Sequence, residues 1–231
     1  MKLKKNLLLE GITVLCSILL FVNCKNESKE MAINAPVVET VKAEAFKTMS
    51  SVATGYTIGD KATDFKLKDV NGNMVSMSDY KDAKGFVVIF TCNTCPFAVA
   101  SEDRIIALDK KYKALGYPVI AINPNDPEVQ PDDTYELMQA KAKDKGFTFP
   151  YLYDQDDKVY KTYGATKTPH VYLLKKEKGE HIVKYIGAID DNVRKASAVK
   201  NTYLANAIDA LLTGKVIEVK ETKAIGCSIK V

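Results

Sequence analysis

Residues 86–96 read FVVIFTCNTCP, an apolar run followed by two cysteines and a proline. The uninterrupted run is typical of a strand that is buried on both faces of a sheet. A proline at this point favours a helix start, since the missing N–H of Pro96 costs nothing in a first turn. The strand therefore delivers Cys92 to the beginning of a helix, where unpaired backbone N–H groups favour thiolate over thiol. Because the thiolate attacks disulfides and peroxides, the pattern predicts redox chemistry.

The composition is that of one globular domain with extensions. The chain has 231 residues, of which 46% are hydrophobic and 27% charged, and its formal charge is +4. Part of that charge comes from lysines near the N-terminus, and no basic stripe follows. The only arginines in the sequence are Arg104 and Arg194. Nucleic-acid binding and bidentate phosphate recognition are therefore not expected.

Residues 1–23 are predicted to be a signal peptide of the lipoprotein type. Three lysines among the first five residues precede Gly11–Val22, a run of 12 uncharged residues. That run is shorter than the ~20 residues that a membrane span needs. The sequence FVNC at 21–24 resembles a bacterial lipoprotein signal, in which Cys24 is lipidated and becomes the mature N-terminus. An uncleaved anchor over Leu7–Val22 is the alternative, and both place the domain outside the cytoplasmic membrane, where disulfides persist.

The remaining chain is predicted to form one domain on a tether. Residues 24–55 contain few large hydrophobic side chains and are expected to be flexible. The folded domain is expected over 56–218, followed by a tail over 219–231. Predicted elements are a hairpin around 71–72, strands at 86–91, 119–122 and 151–153, helices at 98–115, 134–145, 158–163 and 198–212, and a hairpin of 170–174 with 181–187. Their order predicts an α/β fold with a central mixed β-sheet and helices on both faces.

Five short motifs follow one another along the chain. They are FTCNTCPF (90–97), AINPND (121–126), TPH (168–170), GAIDDN (187–192) and GCSIK (226–230). In this order and spacing they resemble the thioredoxin-like superfamily, and within it the peroxiredoxin-like redoxins of the alkyl hydroperoxide reductase/thiol-specific antioxidant family. The resemblance covers about residues 56–231. It implies a thioredoxin-like fold in which a cis Thr168–Pro169 peptide packs beside the dithiol.

The leading functional hypothesis is thiol–disulfide exchange at Cys92 and Cys95. Cys92 is assigned as the nucleophile, because it is expected to be the more exposed of the two, and Cys95 as the resolving thiol. A cis Pro169 is expected to keep a backbone edge open beside the thiols for substrate pairing. Cys227 lies 13 residues beyond Gly214, so an extended tail reaches the dithiol. It is either a third redox thiol or a small buried hydrophobic residue.

A peroxiredoxin-like thiol peroxidase is the nearest alternative. The resemblance implies Thr or Ser three residues before a peroxidatic cysteine, together with an arginine near the reacting oxygens. Neither is found when counting from Cys92 or from Cys95. Exchange therefore ranks above peroxide reduction, which needs donors aimed at the leaving oxygen.

Two further classes remain open. Cys92, Cys95, Cys227 and His170 have the composition of a Cys₃His zinc set, and the dithiol with His170 is similar to copper-delivery proteins. A redoxin scaffold used only for protein binding is the third possibility. A hydrogen-bonded strand residue is the favoured interpretation of His170. For Asp190–Asn192 a turn that caps the following helix is favoured over a cation site.

The expected partners follow from these assignments. Substrates are protein thiols or disulfides, or small hydroperoxides, with an unidentified electron donor or acceptor. The membrane is contacted through a lipid on Cys24, on the periplasmic side of a bacterium. No cofactor, resident metal or nucleic acid is expected.

Overall fold

The computed structural model describes residues 55–154, 156 and 159–231, so the predicted signal peptide and nearly all of the tether lie outside it. No helix within the described residues is both long and apolar enough to cross a membrane. The strands are β1 (Lys61–Ala62), β2 (Leu67–Asp69), β3 (Met74–Val75), β4 (Gly85–Phe90), β5 (Val119–Asn123), β6 (Tyr151–Tyr153), β7 (Lys167–Thr168), β8 (His170–Glu177), β9 (Glu180–Gly187) and β10 (Cys227–Ser228). The α-helices are α1 (Pro96–Val99), α2 (Glu102–Tyr112), α3 (Tyr135–Lys145), α4 (Val159–Tyr163) and α5 (Tyr203–Leu212).

Eight strands form one mixed sheet in the order β1-β9-β8-β4-β5-β6-β2-β3. Strands β4, β5 and β6 are parallel, β8 is antiparallel to β4, and β9 is antiparallel to β8. All six residues of β4 are buried, as the apolar run predicts for a central strand. The carboxyl end of β4 therefore lies in the middle of the sheet, with Phe90 paired to Ile122 on one side and His170 on the other.

The two faces of the sheet carry separate hydrophobic cores, because successive strand residues point to opposite sides. Val87 and Ile89 face a core that includes residues of α2, α3 and α5. Phe86, Val88 and Phe90 face the other core, which includes residues of α4. The prediction of a mixed sheet with helices on both faces is confirmed.

Several element boundaries differ from the predictions. The helix expected over 98–115 is interrupted, since α1 ends at Val99 and the Ser101 hydroxyl bonds the Phe97 carbonyl at 2.8 Å. The hairpin of β8 and β9 is longer than expected and turns at Lys178 and Gly179, which both have positive φ.

The last helix also begins later than predicted. It starts at Tyr203 rather than near 198, because the Asp191 carboxylate accepts the backbone N–H groups of Lys200 and Asn201 at 2.9 and 3.0 Å. The turn over 190–192 therefore closes the loop before the helix. The expectation that this turn caps the helix is therefore wrong. The N-cap residue is Thr202, and its side chain makes no capping hydrogen bond.

Residues 219–231 pack against the domain. Glu221 forms a parallel bridge with Ile186, and β10 pairs antiparallel with β7 in a separate two-stranded sheet. The tail therefore ends beside the segment that precedes Pro169.

Candidate active site

Three cysteines from distant parts of the chain meet at the carboxyl end of β4. Cys92 follows that strand, Cys95 immediately precedes α1, and Cys227 lies in β10. The three thiols are free and form one small apolar cluster with Ala98 and Phe97. The structure thus brings together all three cysteines that the sequence singles out.

Thr168 contacts both thiols of the CNTC motif. Its hydroxyl lies 3.2 Å from the Cys92 sulfur, and its carbonyl oxygen lies 3.1 Å from the Cys95 sulfur. The peptide bond that follows, Thr168–Pro169, is cis, as the resemblance implies. Pro169 therefore sits beside the dithiol, while the polar contacts to the sulfur atoms come from Thr168. Sequence reasoning singled out the proline and missed the threonine.

The expected difference in exposure between the two cysteines is wrong. Cys92 is 4% exposed and Cys95 is 5% exposed, so neither is the open member of the pair. The helix starts at Pro96, so that Cys95, and not Cys92 as expected, is the residue at its start. The two reasons for choosing Cys92 as the nucleophile therefore do not hold.

Hydrogen bonding favours the thiolate on Cys95. A hydrogen bond from the Cys92 thiol is the largest of the causes that lower the pKa of Cys95 to about 4, although burial opposes the shift. The Cys227 thiol and the backbone N–H groups of Ala98 and Cys227 also donate to Cys95. The Thr168 carbonyl acts in the opposite direction because it accepts a hydrogen bond only from the thiol form. Because several hydrogen-bond donors surround the Cys95 sulfur, the negative charge of the pair is favoured on Cys95.

The other two thiols keep their protons. The hydrogen bond with Cys95 and then burial raise the pKa of Cys92 far above its usual range, and the charge of Asp133 acts in the same direction. Burial raises the pKa of Cys227 to about 11, helped by its hydrogen bond with Cys95. One thiolate flanked by two thiols is the charge state that this geometry favours.

Asn93 anchors the loop between the two cysteines. Its backbone N–H donates to Asp133 Oδ1 at 2.7 Å, and its side chain accepts from the Tyr151 hydroxyl at 3.0 Å. Its carbonyl accepts from Lys141 Nζ at 2.7 Å, and that ammonium also pairs with the buried Glu102 carboxylate at 2.6 Å. The loop is thus fixed by contacts to three neighbouring elements, which preorganises the two sulfur atoms.

The thiols line a small cleft. Its volume is about 220 Å³, and its walls comprise both cysteines of the motif, Cys227, and polar residues of the surrounding loops. Among these are Asn125, Gln130 and Lys230. A cleft of this size admits a compact sulfur-containing group to the dithiol.

Comparison with known proteins agrees with this geometry. The model of the AhpC/TSA family matches residues 58–191, more than half of the chain. The chain belongs to the AhpC/TSA family. The match spans the sheet from β1 through β9 and includes Cys92 and Cys95, whereas Cys227 lies beyond it.

Relatives and solved structures extend the similarity. The thiol-disulfide oxidoreductase ResA of Halalkalibacterium halodurans is 26% identical over 156 residues, which cover 62% of this chain and 84% of ResA. The hypothetical protein SMc02350 of Sinorhizobium meliloti 1021 is 36% identical, with a TM-score of 0.70 over 76% of this chain and 95% of that one. A Chlorobium tepidum protein assigned as thiol:disulfide interchange protein DsbE, 22% identical over 68% of this chain and 98% of that one, has a TM-score of 0.53 and shares the fold.

These findings confirm the predictions at the level of family and fold. The fold is thioredoxin-like, with the mixed sheet described above. Family membership and the named relatives identify a redoxin-type oxidoreductase.

His170 is a hydrogen-bonded strand residue. Its Nδ1 accepts the backbone N–H of Thr166 at 3.3 Å, and its ring lies 4.9 Å from that of Tyr172. No group of three or more His, Cys, Asp or Glu side chains among the described residues is arranged to hold a metal ion. The Cys₃His set considered from sequence is therefore not assembled in this part of the chain.

Burial of His170 predicts a pH-dependent stability. Burial lowers the pKa of the imidazole to about 4, below the value of about 6.5 in an unfolded chain. Between these values the unfolded state binds the proton and the folded state does not, so stability decreases as the pH falls from 6.5 to 4. The loss is on the order of 3 kcal/mol. Urea denaturation of wild type and His170→Asn at pH 7 and pH 4.5 measures it.

The variant separates this residue from other titrating groups. Asparagine keeps an acceptor near the Thr166 N–H and does not titrate, so His170→Asn should lose less free energy of unfolding on acidification than wild type. Equal losses in both proteins would contradict the assignment. His181, whose pKa is also lowered by burial, is present in both proteins and cancels in the comparison.

Proposed function

We propose that this protein is a thiol–disulfide oxidoreductase that acts through the dithiol Cys92–Cys95. The observation that carries the proposal is the meeting of two free thiols, two residues apart in the chain, at a cleft that reaches both and beside the hydroxyl and carbonyl of Thr168. Such a pair donates two electrons to a disulfide and closes into a disulfide itself. The similarity to ResA, named as a thiol-disulfide oxidoreductase, supports the same chemistry.

In the proposed mechanism Cys95 takes the first step, which its hydrogen-bond donors support. The Cys95 thiolate attacks one sulfur of the substrate disulfide, forming a mixed disulfide and releasing the other half as a thiolate, which takes a proton from solvent. Cys92 then loses its proton and attacks the Cys95 sulfur. This releases the second half of the substrate as a thiol and leaves a Cys92–Cys95 disulfide. Overall, the dithiol loses two electrons and the substrate gains them.

Thr168 would assist the second step. When Cys95 becomes a neutral disulfide sulfur, the hydrogen bond that holds the Cys92 proton is lost, and Cys92 becomes easier to deprotonate. The Thr168 hydroxyl, 3.2 Å from the Cys92 sulfur, then donates to the new thiolate. Pro169 fixes the backbone from which these contacts are made.

Cys227 is proposed as a third redox thiol. Its backbone N–H lies 3.4 Å from the Cys95 sulfur, and its thiol donates a hydrogen bond to that sulfur. Cys227 is therefore a neighbour of the Cys95 sulfur, as Cys92 is. In the wild type, Cys92 closes first because its position is fixed by the short loop through Asn93. Without Cys92, Cys227 is the thiol that reaches a Cys95 mixed disulfide.

Disulfide mapping tests the proposal. Reduced protein is treated with one equivalent of glutathione disulfide, and peptides are assigned by mass spectrometry. We expect a Cys92–Cys95 bridge in wild type and a Cys95–Cys227 bridge in Cys92→Ser. No bridge at Cys95 in either protein would overturn the exchange function. A mixed disulfide that persists in Cys92→Ser would leave Cys227 structural.

Peroxide reduction is the second candidate, favoured by the Cys95 thiolate and by family membership. The arginines argue against it. Arg104 pairs with Asp190 and donates to loop carbonyls, while the Arg194 guanidinium stacks on the Phe97 ring at 4.7 Å. Neither is aimed at a thiol. One equivalent of hydrogen peroxide in the mapping experiment should therefore form the bridge much more slowly than glutathione disulfide does.

An extracytoplasmic, membrane-anchored location completes the proposal. It rests on the sequence of residues 1–24, because a lipidated Cys24 would hold the domain outside the cytoplasmic membrane, where disulfides persist. The mass of the mature N-terminal peptide from the membrane fraction tests lipidation at Cys24. An unmodified peptide that begins at Met1 would contradict it.

A further inference from the structure

The backbone edge beside the dithiol is already occupied. Strand β7 is the segment whose Thr168 contacts both sulfur atoms, and its partner is β10, with Cys227 opposite Thr168 and Ser228 opposite Lys167. An open edge had been expected here for substrate pairing. The chain's own C-terminal strand takes that place instead.

The tail is fixed at both ends of this strand. Before it, the Thr222 hydroxyl accepts the Ala188 N–H at 2.9 Å and contacts the Tyr185 hydroxyl at 2.7 Å. After it, the Lys230 N–H donates to Asn125 Oδ1 at 2.9 Å, and the Lys230 carbonyl accepts the Asp126 N–H at 2.8 Å. Both ends are thus tied to the main domain.

Gly226 allows the closest approach of the tail to β7. A Cβ atom at this position would lie 2.2 Å from the Thr168 carbonyl oxygen and 2.6 Å from its carbonyl carbon. Because both atoms belong to the backbone, no side-chain movement relieves such a contact. The absence of a side chain at Gly226 is therefore a condition for the pairing of β10 with β7.

We infer that the site reduces low-molecular-weight disulfides and discriminates against polypeptide disulfides, because β10 occupies the edge that an extended polypeptide would pair with. This inference rests on the proposed exchange function. A polypeptide that brings a disulfide to Cys95 has to run beside Thr168, where main-chain pairing supplies the affinity of strand addition. With β10 in place that pairing is lost. A compact disulfide needs only the cleft of about 220 Å³.

The discrimination between the two substrate classes depends on the population of the open state, in which β10 is not paired with β7. If the open state has a population of about 10% or less, polypeptide binding is weakened about tenfold or more. A small disulfide does not need this edge, so displacement of β10 affects its rate only through the contacts of Cys227 that leave with the strand. Displacing β10 should therefore raise the rate with a polypeptide disulfide relative to the rate with a small disulfide.

The test compares two substrates on three proteins. Pre-reduced wild type, Gly226→Ala and Ser228→Ala are mixed with glutathione disulfide or with insulin, and the second-order rates of reduction are measured. In wild type, insulin should react at least about tenfold more slowly. In Gly226→Ala, the clash with Thr168 displaces β10, so the ratio of the insulin rate to the glutathione disulfide rate should rise about tenfold. Ser228→Ala keeps the backbone of β10 and should behave as wild type.

Circular dichroism would detect misfolding of Gly226→Ala, and a second pair of variants provides the same test without this substitution. A chain ending at Ile225 lacks β10, and Cys227→Ser keeps the strand without its thiol, so their difference reports the strand alone. Insulin reduction that is as fast as glutathione disulfide reduction in wild type would overturn the inference. An unchanged ratio in both displaced variants would also overturn it. Failure of wild type to reduce either substrate would instead remove the exchange function itself.

Discussion

Replacing Cys95 by serine is expected to abolish disulfide reduction, with a rate loss of about 10³-fold or more. A serine hydroxyl is not ionised near neutral pH, so the variant lacks the anion that attacks the substrate. In the structure this anion is favoured on Cys95 by donors from Cys92, Cys227 and Ala98. Cys92→Ser should still form a mixed disulfide at Cys95, because serine retains a hydrogen-bond donor to that sulfur.

The order of the two cysteines is measured by alkylation as a function of pH. Iodoacetamide should modify Cys95 with a pH midpoint well below that of an ordinary thiol, and peptide mapping should show Cys92 unmodified at neutral pH. The matched control is Cys92→Ser, in which the midpoint should rise because a serine hydroxyl replaces the thiol as donor. If Cys92 were alkylated first and Cys95→Ser trapped mixed disulfides, the roles would be those inferred from the sequence alone.

The dithiol was predictable because its signal is local. An apolar run ending in Cys-x-x-Cys-Pro places two thiols at the end of a buried strand whatever the rest of the chain does. The assignment of roles within the pair was not predictable. It depends on a hydrogen bond from Cys227, a residue 132 positions away from Cys95.

Buried charges are the clearest case of what sequence does not disclose. Asp132 and Asp133 are adjacent and identical in type, yet Asp132 is exposed and Asp133 is fully buried. Glu102 is likewise buried and pairs with Lys141. A charged side chain in a polar loop is usually solvated, and only the approach of distant donors makes its burial favourable. Neither Asp133 nor Glu102 was identified as part of the site for that reason.

The closed edge at β7 was missed for a related reason. A two-residue strand such as β10 has no periodicity to detect, and its pairing partner is set by where the tail returns. The GCSIK motif does not reveal this pairing, because the role of Gly226 depends on its distance from the Thr168 backbone. Long-range pairing of short strands is therefore the part of the fold that the sequence does not disclose.

Replacing Asp133 by asparagine should destabilise the protein by about 3 kcal/mol. The carboxylate has no solvent exposure and accepts three hydrogen bonds. Oδ1 accepts from the Asn93 N–H at 2.7 Å and from Asn123 Nδ2 at 3.2 Å, and Oδ2 accepts from Asn125 Nδ2 at 2.7 Å. An asparagine amide presents an N–H₂ group to one of these donors, so at least one buried donor is left unsatisfied. The free energy of unfolding from urea denaturation measures the effect.

Asp132→Asn is the matched control, since it makes the same chemical change one residue earlier on an exposed side chain, and it should leave stability within about 0.5 kcal/mol of wild type. Asp133 also links the cysteine loop to the tail through Asn125, whose amide nitrogen donates to Asp133 and whose amide oxygen accepts from the Lys230 N–H. Loss of the carboxylate should therefore loosen β10 together with the loop. Removal of its negative charge should also lower the pKa of Cys92. Equal stability of both variants would show that the buried network contributes little. Destabilisation confined to Asp133→Asn would support a role of this buried carboxylate in fixing both the cysteine loop and the C-terminal strand.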